Sequence, residues 1–392
     1  MARTAIIFGA GKLGRGFVAE VLQSAGCRLV FVDSDAQRVE RLGVAGSYTI
    51  YKARKTFYET VPVENFAILH TSAEGEIGNF ICEPGALIAL AIHMDQLEGI
   101  AMLLALAIAR KAMETPEEPL DILLCINHIE AKSALRRQLE GLLGGSALSY
   151  LVEKVGFVST VELVVCPTLT ENLAERDPLG VLTNGYHEMP VEQPAFKGEP
   201  PCSPMLRLSQ NIDFEAHRKM FTFNMAYAAL AYLGAARGHL YLADALGDER
   251  IRAEVVRALG EAAAGFQGEY GCSEKELGAW NESILRVVDN PMLIATLSSL
   301  GSDSPRKVGP QDRLVGPALL CQKHGGEPRA LARVIAHAYR FAVDGDPRTR
   351  AFLRFVEEEG IEQALERYSR LAMRNLLHRM VRAEYDALEP LS

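Results

Sequence analysis

Residues 4–26, TAIIFGAGKLGRGFVAEVLQSAG, leave this chain few folds to choose from. A short β-branched and aromatic run, TAIIF, passes directly into a G-x-G-x-x-G turn and then into a helical apolar pattern, so strand, tight turn and helix follow without a spacer. Gly9 allows the sharp turn, Gly11 lets a pyrophosphate approach the backbone, and Gly14 permits close packing of helix on strand. Ala10, Lys12 and Leu13 complete a loop whose free N–H groups would face phosphate at the helix start. A second strand, RLVFV (28–32), ends in Asp33. A carboxylate there can accept hydrogen bonds from the adenosine ribose hydroxyls and would repel a 2′-phosphate, which favours NAD over NADP. The competing reading of Asp33 is a helix N-cap, since Ser34 and Asp35 open another helix. Arg15 stands just behind the glycines, placed either to touch a phosphate or to face solvent.

Further strands are expected at SYTIY (47–51), ALIALAI (86–92) and DILLCI (121–126), the last two separated by a helix over 96–113. Alternation of strand and helix predicts a largely parallel sheet. Ligands of such sheets lie beyond the carboxyl ends of the strands, which brings His93 and Asn127 toward the cofactor's nicotinamide end. The Asn127 side chain can donate to a substrate oxygen. His93 and His128 fit a helix start or a packed imidazole better than a catalytic one. VGFVSTVELVV (155–165) and GVLTNGYHEM (180–189) read as further strand-rich stretches.

Residues 190–205 hold five prolines and read as a segment crossing between domains. Beyond them nearly everything has helical period, at about 214–246, 248–270, 274–288, 312–323, 330–343, 348–359 and 360–384. The fold class is therefore α/β, an N-terminal Rossmann-type doubly wound sheet (1–189) followed by an all-helical C-terminal domain (206–392). Within that helical half, HRKMFTFNMAY (217–227) sets Lys219 and Asn224 among Met, Phe, Ala and Tyr. Burial there disfavours the charged amine and can bring a lysine from about 10 toward neutrality, as a general base requires. Alternatively the lysine snorkels to solvent from an amphipathic helix. SPRKVGPQDRL (304–314) places Arg306, Lys307 and Arg313 around a Gly-Pro turn, suited to a sugar phosphate or carboxylate, or else to a solvated loop with a cap led by Asp312.

The charge balance, 41 basic against 50 acidic residues, invites no nucleic acid and favours a small-molecule partner. Seven dispersed cysteines without a C-x-x-C read as reduced buried thiols, and MARTAIIF enters the first strand with no signal-peptide pattern. The longest apolar run, 100–109, is too short for a bilayer, and no His/Cys/Asp cluster has metal-ligand spacing. The expectation is a cytoplasmic protein, monomeric or a small homo-oligomer, with no membrane partner and no metal.

Together FGAGKLGRGF, the strand ending at Asn127 and His128, EKVGFV (153–158), RKMFTFN with the following AYLG, DNP (289–291) and PRKVGPQDRL with Pro317 resemble the polyol-specific long-chain dehydrogenases, most closely their mannitol-1-phosphate 5-dehydrogenase branch. The resemblance covers almost the whole chain. It implies an NAD-dependent, metal-free oxidoreductase interconverting a sugar alcohol, or its phosphate, and the matching ketose. Lys219 then matches the general acid/base, Asn127 and Asn224 the asparagines that hold the reacting oxygen, and Arg306 and Lys307 the basic residues near the substrate's far end. Four places depart from the family: Tyr227 where it has histidine, Leu163 and Val164 where it shows an Asp-Arg pair, His93 where it has glycine, and Ser302 and Asp303 near a missing arginine. These departures keep open a hexuronate or keto-acid reductase of the broader family, and a dinucleotide-binding sensor or scaffold with weak catalysis.

Overall fold

The computed structural model describes residues 2–128, 130–343 and 345–388; residues 1, 129, 344 and 389–392 of the expected domain ranges fall outside these. The chain forms two compact units, Met1–Glu215 and Ala216–Ser392.

In the first unit, β1 (Thr4–Phe8) leads through a π-helical turn (Gly14–Val18) into α1 (Ala19–Ser24), then β2 (Arg28–Asp33) and α2 (Ala36–Ala45). After these come β3 (Ser47–Ala53), β4 (Tyr58–Glu64), β5 (Ala67–His70), α3 (Glu74–Cys82), β6 (Leu87–Leu90), α4 (Leu97–Glu114) and β7 (Leu120–Leu124). The unit continues with α5 (Ala131–Leu142), α6 (Gly145–Lys154), β8 (Val155–Ser159), α7 (Glu171–Arg176), β9 (Val181–Thr183), β10 (Met189–Glu192) and β11 (Leu206–Ser209). Six strands form one sheet in the order β5-β2-β1-β6-β7-β8, every neighbouring pair parallel. The order reverses between β1 and β6, which opens a crevice beyond their carboxyl ends. Strand alternation divides the core: Ile6 and Phe8 face α3, α4, α5 and α6, whereas Ala5 and Ile7 face α1 and α2.

Two expectations change here. SYTIY does not join the parallel sheet; as part of β3 it pairs antiparallel with β4 and parallel with β9 in a separate three-stranded sheet. The strand that takes the outer place beside β2 is β5, only four residues long and half-buried at the sheet edge. The buried Lys52–Glu20 pair, 2.5 Å apart, ties the small sheet to α1. Residues 190–205, read from their prolines as crossing between domains, pack within the first unit. β10 pairs with β11, and buried Asp121 of β7 accepts the N–H groups of Lys197 (2.7 Å) and Gly198 (3.1 Å).

In the second unit every regular element among the described residues is helical. α8 (Ile212–Arg218), which begins in the first unit and ends in the second, runs into a π-helical turn (Lys219–Asn224) and α9 (Met225–Ala235), whose residues Met225 through Gly234 are all buried. An evenly apolar helix is a central one. Around it follow α10 (Leu242–Gly247), α11 (Glu249–Tyr270), α12 (Glu274–Val288), α13 (Leu297–Gly301), α14 (Ser304–Lys307), α15 (Val315–Lys323), α16 (Arg329–Ala338), α17 (Pro347–Tyr368) and α18 (Leu376–Ala387). The expected long helix over 214–246 is thus three helices and a π-turn, and the chain bends within α17 at Gly360.

Candidate active site

The glycine turn joins β1 to α1 as its three glycines require. Gly9 has φ +95° and lies so near the end of β6 that a Cβ would meet the Ala91 carbonyl oxygen at 2.3 Å; a Cβ on Gly14 would meet the Gly9 oxygen at 1.9 Å. Both positions exclude a side chain, one for the turn and one for packing. A Cβ on Gly11 meets nothing within 4 Å, so the backbone there is open to a large ligand. This cradle fits a dinucleotide pyrophosphate. Ala10 is buried, Leu13 packs on the core, and exposed Lys12 donates to the Thr168 hydroxyl at 3.2 Å. Arg15 neither faces solvent nor stays free for phosphate. Its Nε donates to the Ala10 carbonyl at 2.7 Å, its guanidinium reaches the Leu179 carbonyl, and it lies 5.3 Å from the Tyr48 ring centroid. Burial lowers its pKa from the ordinary arginine range.

Asp33, at the carboxyl end of β2, is only 6% exposed. One oxygen accepts the Ala10 N–H at 2.7 Å; the other accepts the Asp35 N–H at 2.9 Å and an Arg38 N–H at 2.8 Å. The cap of α2 is Asp35, whose side chain accepts the Arg38 N–H at 3.1 Å, so Asp33 serves the glycine loop instead. Sequence reading missed Arg38. Its signal was present, since five positions beyond Asp33 is the first turn of the helix that follows the acid.

At the other strand ends, Asn127 is exposed just past β7. The His128 Nδ1 accepts the Glu130 N–H at 3.2 Å in the turn leading to α5, and exposed His93 begins the short turn Met94–Gln96. Both histidines thus take part in helix starts. β8 stops at Ser159; beyond it Thr160 donates to the Leu124 carbonyl at 2.9 Å and meets Glu162, while Leu163 is buried. Among the described residues no three His, Cys, Asp or Glu side chains are grouped to hold a metal ion.

In the second unit Lys219 and Asn224 open and close the π-helical turn, both half-buried. The turn has a visible local cause. The Thr222 hydroxyl donates to the Arg218 carbonyl at 2.5 Å, a back-bond that competes with the helical ladder. Trp280 of α12 donates its indole N–H to the same hydroxyl at 2.8 Å, and the Arg218 guanidinium lies 4.0 Å from the Trp280 ring centroid. His217 stacks on Phe221 and meets the Tyr270 hydroxyl at 2.5 Å. These aromatic partners, invisible as such in the sequence, hold the turn from both sides. π-Turns are rare and recur at functional sites. The Asn224 amide is 3.4 Å from the Met220 sulfur, and Tyr227 is buried with its ring against Phe223.

The basic loop is organised differently from a row of free cations. Arg306 is about half exposed and donates to Asp303 (2.6 Å) and Asp312 (3.0 Å); Arg313 also binds Asp312. Lys307 is buried and donates to the carbonyls of Leu300 and Ser302. Burial first, then the neighbouring Arg313 and Arg306, bring its pKa down to about 7. Asp303 holds a left-handed conformation (φ 58°), its N–H donated to Asp346 at 2.7 Å. Arg306 is thus the half-exposed cation of the pair, whereas Lys307 is turned to the protein's own backbone.

Two family models cover these units. The mannitol dehydrogenase Rossmann domain matches residues 3–203, and the mannitol dehydrogenase C-terminal domain matches residues 212–388. Among solved structures, the chain is similar to Pseudomonas fluorescens mannitol 2-dehydrogenase in a ternary complex with NAD and D-mannitol. That match has TM-score 0.78 and 14% identity over 99% of this chain and 92% of the other. It is also similar to a D-sorbitol dehydrogenase in substrate-free form (TM-score 0.81, 14% identity, 98% and 93% covered). A D-mandelate dehydrogenase with NADH and anilino(oxo)acetate matches more loosely, with TM-score 0.50 and 14% identity over 89% of this chain and 100% of the other. Among the described residues no helix is long and apolar enough to cross a membrane.

Proposed function

The chain belongs to the mannitol dehydrogenase family, and from that premise we propose that it is an NAD-dependent oxidoreductase interconverting a sugar alcohol, or its phosphate, with the corresponding ketose. The observation that carries the reading is the half-buried Lys219 at the head of a π-helical turn that ends in Asn224. The dinucleotide, when bound, supplies the acceptor for the carbinol hydride. Its pyrophosphate fits the open backbone at Gly11, and the helix start behind Gly14 offers N–H groups to it.

The remaining work falls to this chain's side chains. In the oxidising direction the neutral amine of Lys219 takes the proton of the substrate hydroxyl while the C–H pair departs as hydride, leaving a carbonyl. In reduction the ammonium returns that proton. The amide N–H of Asn224, at the other end of the same π-helical turn, donates to that oxygen and stabilises the charge it gathers. Arg306 is the cation assigned to the far end of the substrate, where a phosphate or carboxylate would meet it.

A panel of polyols, polyol phosphates and uronates, each scanned for formation or consumption of reduced nicotinamide, tests the assignment. Turnover on a polyol or polyol phosphate is the expected result. Turnover confined to uronates would move the protein to the keto-acid reductases of the broader family, and binding without any turnover would make it a sensor.

A further inference from the structure

We propose that the outer face of the small three-stranded sheet is a regulatory site for a small amino acid, coupled to the glycine turn through Arg15. The coupling rests on the dinucleotide reading of that turn. A cavity of about 310 Å³ lies on this face. Alternation along β3 puts Ser47, Thr49 and Tyr51 on the side away from buried Tyr48 and Ile50, with Glu64 and Pro62 of β4 directly across from Ser47 and Thr49. Asp177 accepts the Thr49 N–H at 3.1 Å, which places it and Arg176, the last residue of α7, on the side of β3 opposite β4. Asp177 is fully engaged, since it also accepts the Leu179 N–H at 3.2 Å and lies 3.4 Å from the Tyr51 hydroxyl. Glu64 and Arg176 are not. Both are exposed, both border the cavity, and among the described residues neither has a hydrogen-bond or ion-pair partner. Opposite charges that share a small cavity without pairing leave a gap with a field across it. A molecule carrying a carboxylate and an ammonium answers that field at both ends, the carboxylate on Arg176 and the ammonium on Glu64, over the hydroxyls of Ser47 and Thr49. The volume sits at the low end of ligand cavities, about 300–1,000 Å³, and so suits an amino acid and not a second dinucleotide.

Two walls of the cavity hold one residue of the cofactor cradle. Tyr48 of β3 donates its hydroxyl to the Arg15 carbonyl at 2.9 Å, and the Leu179 carbonyl, two residues past Asp177, accepts from the Arg15 guanidinium. The Arg15 Nε in turn donates to the Ala10 carbonyl at 2.7 Å, inside the glycine turn. A ligand that clamps β3 and the Asp177 segment together fixes Arg15 and, with it, the turn. The dinucleotide then meets a cradle already ordered, and each ligand tightens the other by the same factor.

The test is calorimetric titration of L-serine and of 4-aminobutanoate into the whole protein, with glycerate and ethanolamine as probes that keep one charge only. NADH is titrated with and without saturating amino acid, and Glu64→Gln and Arg176→Gln are carried beside the unaltered chain. One of the two amino acids should bind, with glycerate and ethanolamine at least about tenfold weaker, and each variant should lose about tenfold, the scale of one charge-assisted hydrogen bond. Saturation should tighten NADH about fivefold or more, the lower range of allosteric coupling. Without amino acid both variants should bind NADH as the unaltered chain does, which shows that they are folded. No binding of either amino acid, or glycerate binding as tightly as they do, overturns the site. An NADH affinity that saturation leaves unchanged overturns its regulatory role. Failure to bind NADH in the absence of any amino acid would instead sink the dinucleotide reading itself.

Discussion

Replacing Lys307 with Met separates two roles that sequence alone confuses. Resemblance assigns this lysine to the substrate, whereas its buried ammonium donates to the Leu300 and Ser302 carbonyls and its pKa is brought down to about 7. In the unfolded chain the same group titrates near 10.4. Below pH 7 both states carry the proton, and burial of the charge counts against folding. As pH rises through about 7 the native protein releases its proton while the unfolded chain keeps it, so stability rises until both are neutral. Each pH unit in that window contributes about 1.4 kcal/mol, giving a ceiling of about 4 kcal/mol between pH 7 and pH 10. The two carbonyl acceptors favour the ammonium and reduce this, so we expect about 2 kcal/mol. Urea unfolding followed through Trp280, the single tryptophan and a member of the second unit, reads the effect. The stability of the unaltered protein minus that of Lys307→Met should climb across the window. A flat difference refutes the argument, because it would mean the native lysine stays charged. A fully stable Lys307→Met protein with a raised KM would restore the substrate role.

Other outcomes follow from the same geometry. Lys219→Ala should lower kcat by about 10² to 10⁴ while dinucleotide affinity, measured by titration, stays unchanged; retention of more than a tenth of the activity would make Lys219 structural. Thr222→Val removes the hydroxyl that Trp280 and the Arg218 carbonyl share, leaving the indole N–H of half-buried Trp280 without this partner. It should cost about 1–3 kcal/mol in urea unfolding and shift Trp280 fluorescence, and an unchanged spectrum would show that the bond does not hold the turn. Tyr227→His should raise activity on mannitol 1-phosphate and fructose 6-phosphate, on which the unaltered enzyme is expected to be weak; a kcat near about 10 per second for the unaltered protein on those substrates would refute that expectation.

The fold was legible where short-range rules act alone. The run TAIIF, the glycine spacing and Asp33 define β1, the turn and β2 with no need of distant partners. The parallel sheet was legible as a class but not in its membership. SYTIY has better strand chemistry than AILH, yet AILH takes the edge of the sheet as β5. Strand propensity measures fit to a half-buried pleated surface and carries no information about which neighbour supplies the surface. β4 was missed because YETVPVE mixes charges with Pro62, which suits an edge strand and weakens any apolar pattern.

Functional side chains are harder to read, because a charge in the sequence says nothing about what it faces. Arg306 and Lys307 are adjacent and look equivalent, but neighbours on a helix point about 100° apart. In α14 that rotation turns Arg306 toward Asp303 and Asp312 at the surface and Lys307 toward carbonyls in the interior. Asp33 makes the complementary case. Its place at the end of β2 was evident, and from it came the expectation of NAD; that Arg38, five positions later, pairs with its carboxylate at 2.8 Å was not. The carboxylate identifies where a ribose would lie, and the fold supplies its partners: the Ala10 and Asp35 N–H groups and the Arg38 guanidinium. A substitution at Asp33 or Arg38 alone therefore leaves the other without its ion-pair partner, the costlier outcome where buried Asp33 is the one left.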